Sequence, residues 1–194
     1  MKIKVFEDYL LQHYPLNESL LQEILLRTKE TIVRKNTCLL LPGEISKFTY
    51  FISEGFFRSF IQLEEKEQTT DFFGPGEMCL VRASFFRQIK SQEGIICEKD
   101  ALVFKISYYD WKALEDASPE FLSLTNTLVI KDLLKLAEDI GVARRLSTKD
   151  QYLFLKSQHP GINTLVAQRY IASYLGISEP TMSGIMKSLL FNPK

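Results

Sequence analysis

Histidine is scarce in this 194-residue chain: His13 and His159 are the only two, and they lie far apart. A nucleophile, base and orienter set, or a histidine metal site, has little to be built from, and no enzyme activity is expected. Cysteine is nearly as rare. Cys38, Cys79 and Cys97 are widely spaced, odd in number and form no CxxC pair. They read as buried thiols in a reducing compartment rather than a disulfide or metal framework. No glycine pattern of a nucleotide-binding loop occurs, and Gly74-Pro75-Gly76 reads as a turn. Nowhere do 18 apolar residues run together, and Lys2, Lys4, Glu7 and Asp8 break up the start. Neither a membrane span nor a signal peptide is expected, so the chain is read as soluble and cytoplasmic, with no membrane partner and no cofactor.

Net charge is also absent: 24 basic and 24 acidic residues give a formal zero. The zero hides a polarised molecule. Residues 141–194 hold seven basic and two acidic residues, a net +5, against 17 basic and 22 acidic residues, a net −5, in what precedes them. A basic tail suits phosphates, and double-stranded DNA is the expected partner.

That tail contains the most informative pattern. Ile171, Ala172 and Leu175 fall on one helical face, and Gly176 stands where the chain must turn out of that helix. Ser178 can cap a second helix, Pro180 fits its first turn, and Met182, Ile185, Met186 and Leu189 repeat at helical spacing. This is the layout of a helix-turn-helix, whose second helix enters the major groove. A plain pair of packed helices has the same spacing; the +5 charge favours the DNA reading.

Upstream, residues 3–29 read as helical with a break at Pro15 and a cap at Asn17. From about residue 31, short apolar runs alternate with turn signals: Cys38–Leu41, Tyr50–Ile52 before Glu54-Gly55, Phe56–Leu63 before Glu64-Glu65, Thr70–Phe73, Gly94–Cys97 and Leu102–Ile106. Regular spacing of this kind predicts an antiparallel barrel or roll. Ser118-Pro119-Glu120 is a strong helix start, and the helix is expected to run to about Ile140, ended by Gly141. Along it Leu122, Asn126, Val129, Leu133, Leu136 and Ile140 alternate spacings of four and three, as a coiled-coil seam does. A homodimer through this seam is expected; packing of the stripe on the roll alone is the other reading.

The order of helices, roll, long helix and helix-turn-helix resembles the Crp/Fnr family of transcription regulators. The closest stretches are Leu41-Pro42-Gly43-Glu44, Tyr50-Phe51-Ile52, Phe73 to Glu77, Ile106-Ser107-Tyr108 and Tyr170 to Ile177. The resemblance implies an α+β fold: N-terminal helices and an effector-sensing roll like a cyclic-nucleotide-binding domain (residues 1–117), a long dimerisation helix (118–141) and a DNA-binding domain (142–194). It also implies a small-molecule effector and RNA polymerase as partners. Two departures stand out. The Gly-Glu pair and Arg that hold a cyclic nucleotide in the family fall on Leu80-Val81 and near Ser91-Gln92, a stretch without arginine, so cyclic AMP is not the expected effector. The arginines often found in the reading helix are replaced within Ser183-Gly184-Ile185-Met186, and little chain follows for a wing.

The expected DNA contacts divide by role. Gln168, Arg169, Ser178 and Thr181 position the backbone, while Glu179, Ser183 and Lys187 face base edges. The expected lining of a roll pocket is Phe73, Met78, Leu80, Val81 and Phe85, with Phe72 and Phe86 nearby and Arg82 as the anion partner, unless the cluster is packed core. The reading from another class is a sensor or protein-interaction module with a degenerate DNA-binding domain.

Overall fold

The computed structural model describes residues 3–64 and 66–191. Two short helices open the chain, α1 (Ile3–His13) and α2 (Glu18–Arg27). Asn17 caps α2 as expected, its side chain accepting the Leu20 N–H at 2.9 Å.

Six strands follow: β1 (Lys29–Val33), β2 (Cys38–Leu40), β3 (Phe48–Leu63), β4 (Lys66–Phe73), β5 (Met78–Cys79) and β6 (Glu93–Ser107). They form one antiparallel sheet in the order β1-β6-β3-β4, with β2 added to β6 and β5 to β3. This is the roll, but two expected turns do not occur. Glu54-Gly55 does not separate two strands; β3 runs through it, and its register on β6 shifts around Glu54 and Phe56. Gly55 has φ +107°, and a Cβ there would lie 2.3 Å from that of Ala101, so the glycine makes a bulge against β6 instead of a turn. Gly94–Cys97 and Leu102–Ile106 likewise join into the single strand β6. The β3–β4 tip falls at Glu64, with Leu63 paired to Lys66; Glu65 lies outside the described residues.

Helix α3 (Arg82–Arg87) interrupts the sheet, and α4 (Tyr108–Ala117) leads from it to the long α5 (Pro119–Arg145). Ser118 caps α5 as expected, accepting the Phe121 N–H at 3.2 Å. Gly141 does not end it. The helix runs to Arg145 because an interior glycine costs only about 1 kcal/mol relative to alanine, too little to stop a helix alone. The break comes where Ser147 caps the next helix, accepting the Asp150 N–H and donating to its carboxylate at 2.6 Å. One face of α5, with Phe121, Leu124, Thr125 and Leu128, is buried. A flanking stripe is bare: Leu122, Val129, Leu133, Leu136 and Ile140 are 43–61% exposed, and Asn126 is exposed among them.

The C-terminal helices are α6 (Thr148–Gln158), α7 (Ile162–Leu165), α8 (Gln168–Tyr174) and α9 (Glu179–Phe191). Three apolar cores result. One packs α1, α2, α4 and α5 on the roll around Phe51, Phe85 and Phe104. A second fills the roll interior with Phe57, Phe73, Cys79 and Val103. The third joins the C-terminal helices to Phe56 and Phe72 of the sheet. No described helix is long and apolar enough to cross a membrane.

Candidate nucleic-acid interface

Helices α8 and α9 are joined by a turn that local chemistry dictates. Gly176 adopts φ +67°, its N–H donates to Ser173 O, and the Ile177 N–H reaches back to Ala172 O at 3.0 Å. These paired bonds close α8 in a Schellman motif, for which glycine is the residue of least strain. Ser178 then opens α9: its hydroxyl accepts the Thr181 N–H at 3.3 Å and lies 2.8 Å from the Thr181 hydroxyl. Ile171, Ala172 and Met182 are buried at the crossing, with Ile185, Met186 and Leu189 packed around them. The helix-turn-helix expected from the sequence is thus present with its apolar face inward.

The polar residues of the motif fall into two groups. Glu179, Thr181 and Lys187 are exposed on α9 and Ser178 just before it, and Gly184 sits among them with open space around it. Arg169 is exposed on α8 and donates to the Tyr170 hydroxyl at 3.0 Å. Gln168 and Ser183 are turned toward each other. The Gln168 amide donates to Ser183 Oγ at 2.7 Å and to Glu179 O at 3.2 Å, which locks the start of α8 to α9. The first turn of α9 carries the positive end of the helix dipole, but Pro180 has no N–H and Ser178 holds that of Thr181, so a phosphate there would rest on the dipole and the two hydroxyls.

Tyr170, Ser173 and Tyr174, which stand in the motif's sequence but carried no expected role, face the roll. Ser173 Oγ accepts the Thr69 N–H at 3.1 Å and donates to Glu67 O at 3.3 Å, so α8 caps the edge strand β4. Tyr170 covers Arg58, whose guanidinium carbon lies 3.7 Å from the ring centre. Arg58 is fully buried and donates to Glu98 and Glu67 at 2.9 Å each. Tyr174 packs on Phe72, and His159 at the end of α6 sits between Phe56 and Phe72. Burial pushes the His159 ring below the usual histidine range, partly offset by Glu77.

The residues expected to line a roll pocket do not converge on one cavity. Phe73 and Val81 belong to the roll-interior core, whereas Leu80 and Phe85 belong to the core beneath the helices. Met78, Leu80 and Phe85 border a void of about 30 Å³, room for a single water. Phe72 is buried in the third core and Phe86 is 40% exposed. Arg82 is paired with Asp132 of α5 at 2.7 Å and borders a groove of about 250 Å³ beside the bare stripe.

No protein-family profile matches this chain, and no curated protein matches it. Its fold does have solved counterparts. The c-di-GMP-responsive global regulator CLP of Xanthomonas campestris is 15% identical, with a TM-score of 0.68 over 90% of this chain and 92% of that one. FixK2 of Bradyrhizobium japonicum is 16% identical, with a TM-score of 0.71 over 84% and 85%. A protein of Eubacterium rectale assigned to the Crp/Fnr family of transcriptional regulators is 20% identical, with a TM-score of 0.68 over 93% and 88%. The chain has the fold of the Crp/Fnr regulators: a roll of the cyclic-nucleotide-binding type followed by a helix-turn-helix.

Proposed function

We propose that this protein is a homodimeric DNA-binding transcription regulator of the Crp/Fnr type that acts in the cytoplasm, without enzymatic activity. One observation carries the reading: the motif's inner face is buried and tied to the roll, while the outer face of α9 is left free with Thr181, Gly184 and Lys187 on it. In this reading Gln168 and Ser183 hold the two helices in register, Arg169, Ser178 and Thr181 take phosphates, and Glu179 and Lys187 meet base edges. RNA polymerase is then a downstream partner.

The bare stripe on α5 supports a dimer. An exposed apolar row at alternating spacings of four and three needs a partner surface, and a second copy of the same helix supplies one with Asn126 fixing the register. Residues before the long helix would then sense, the helix would pair the protomers, and the residues after it would bind DNA. A roll that does not take cyclic AMP fits the residues that stand at these positions. Leu80 and Val81 are buried apolar residues, and Ser91 is spent on Glu93, donating to its carbonyl at 2.7 Å. Residues 88–98 hold no arginine to pair with a buried phosphate, a loss worth about 2–5 kcal/mol.

Binding to a selected DNA fragment tests the role of α9. Lys187→Ala is expected to weaken binding by about 1–3 kcal/mol if the lysine reads a base. Binding unchanged in both Lys187→Ala and Glu179→Ala would mean that α9 does not read DNA and would favour a protein-contact module.

A further inference from the structure

A cleft of about 270 Å³ lies where the roll, the second half of α5 and the helix-turn-helix domain meet. Asp71 enters it from the end of β4, Lys135 and Asp139 from α5, Gln158 and His159 from the end of α6, and Tyr174 from α8. Its remaining walls are mainly apolar, with Phe154, Leu155 and Leu175 among them.

The charges in and beside this cleft do not balance. Lys135 is shared by three carboxylates: it bonds Glu77 at 3.3 Å and also attracts Asp71 and Asp139. Asp71 accepts only the neighbouring Phe72 N–H at 2.8 Å, and among the described residues neither Asp71 nor Asp139 forms an ion pair. Arg82, the other cation in reach, is held by Asp132. Burial pushes Asp71 up to about 6 against the lowering pull of Lys135 and Arg82, and Asp139 is raised as well. Burial lowers His159 and disfavours its charged form, against the raising pull of Glu77. A negative excess thus faces a cavity with apolar walls. A bare metal ion is a poor fit, since no group of three His, Cys, Asp or Glu is arranged to hold one among the described residues.

We propose that this cleft is a binding site for a small primary amine with an apolar body, its ammonium group held by Asp71 and Asp139 and its body lying on Phe154 and Leu155. A ligand there touches the roll, the long helix and the helix-turn-helix domain at once. It therefore stabilises whichever arrangement of the three forms the cleft. The site stands independently of the DNA-binding reading; its use as an effector site rests on that reading.

Calorimetry on the full chain without DNA tests the site, using phenethylamine, the neutral isostere 2-phenylethanol and the variants Asp71→Asn and Ala143→Trp. Phenethylamine is expected to bind saturably at pH 7.5, about tenfold or more tighter than 2-phenylethanol, because the alcohol carries no charge to pair with the carboxylates. Asp71→Asn is expected to weaken the amine by a similar factor and Ala143→Trp to abolish it by filling the cleft. Asp71→Asn removes an unpaired, partly buried charge and is expected to fold; should it not, Asp139→Asn serves in its place. Absence of saturable amine binding, equal binding of the alcohol, or an affinity unchanged in both variants would overturn the proposal. Because no DNA is present, a failure of the DNA-binding reading leaves this result interpretable.

Discussion

The two helices of the helix-turn-helix face opposite fates. Helix α8 is spent on the protein itself: Tyr170 lies over a buried guanidinium, Ser173 bonds the edge of β4 and Tyr174 packs on Phe72. Helix α9 contributes Met182 to the core but leaves Ser178, Glu179, Thr181, Gly184 and Lys187 outside. The same short motif therefore holds a docking surface and a free surface. Aromatic rings and a buried ion-pair network mark the first, small polar groups and a single lysine the second. Position is supplied by α8, so α9 can be sparse and still be presented in a fixed way.

The docking surface of α8 is most sensitive at Arg58. Arg58→Ala leaves Glu98 buried without its cation and strips Tyr170 of the charge beneath it. A loss of about 3–5 kcal/mol in chemical denaturation is expected. A loss below 1 kcal/mol would mean that α8 is not anchored through this network. Next in size is the paired substitution Val129→Glu with Leu136→Glu, which places like charges along the bare stripe of α5. Sedimentation is expected to show a dimer for the natural sequence and monomer or insoluble protein for the variant; a natural monomer at micromolar concentration would remove the seam. The smallest effect is expected on the free surface. Gly184→Ala adds a Cβ with no atom within 4 Å and should stabilise the fold by about 1 kcal/mol. A lower melting temperature in that variant would show that Gly184 is crowded in the native molecule.

What could be read from the sequence follows the range of the interactions. The turn at Gly176, the Ser178 cap, the Asn17 cap and the start of α5 at Ser118 are set by residues within a few positions of one another, and each is found where expected. The stripe from Leu122 to Ile140 was legible because its period survives without knowledge of the partner. The end of α5 was not, since Gly141 weakens a helix without closing it and Ser147 supplies the stop. The bulge at Gly55 looked like a turn because its cause, Ala101, lies on another strand. The aromatic runs of the roll could fill it or line a cavity, and their division between two cores is set by contacts distant in the chain. Nothing local couples Arg58 to Tyr170 or brings Asp71 beside Asp139 and His159, so neither the docking surface nor the cleft could be foreseen.

Selection of genomic fragments by the full-length protein at low and physiological salt tests the central claim most directly. Recovery of a shared, two-fold symmetric motif whose binding weakens steeply as salt rises is the expected result, since neutralised phosphates release counterions. Recovery of no motif, with binding absent or insensitive to salt, would contradict a DNA-binding regulator and leave a protein-contact module in its place.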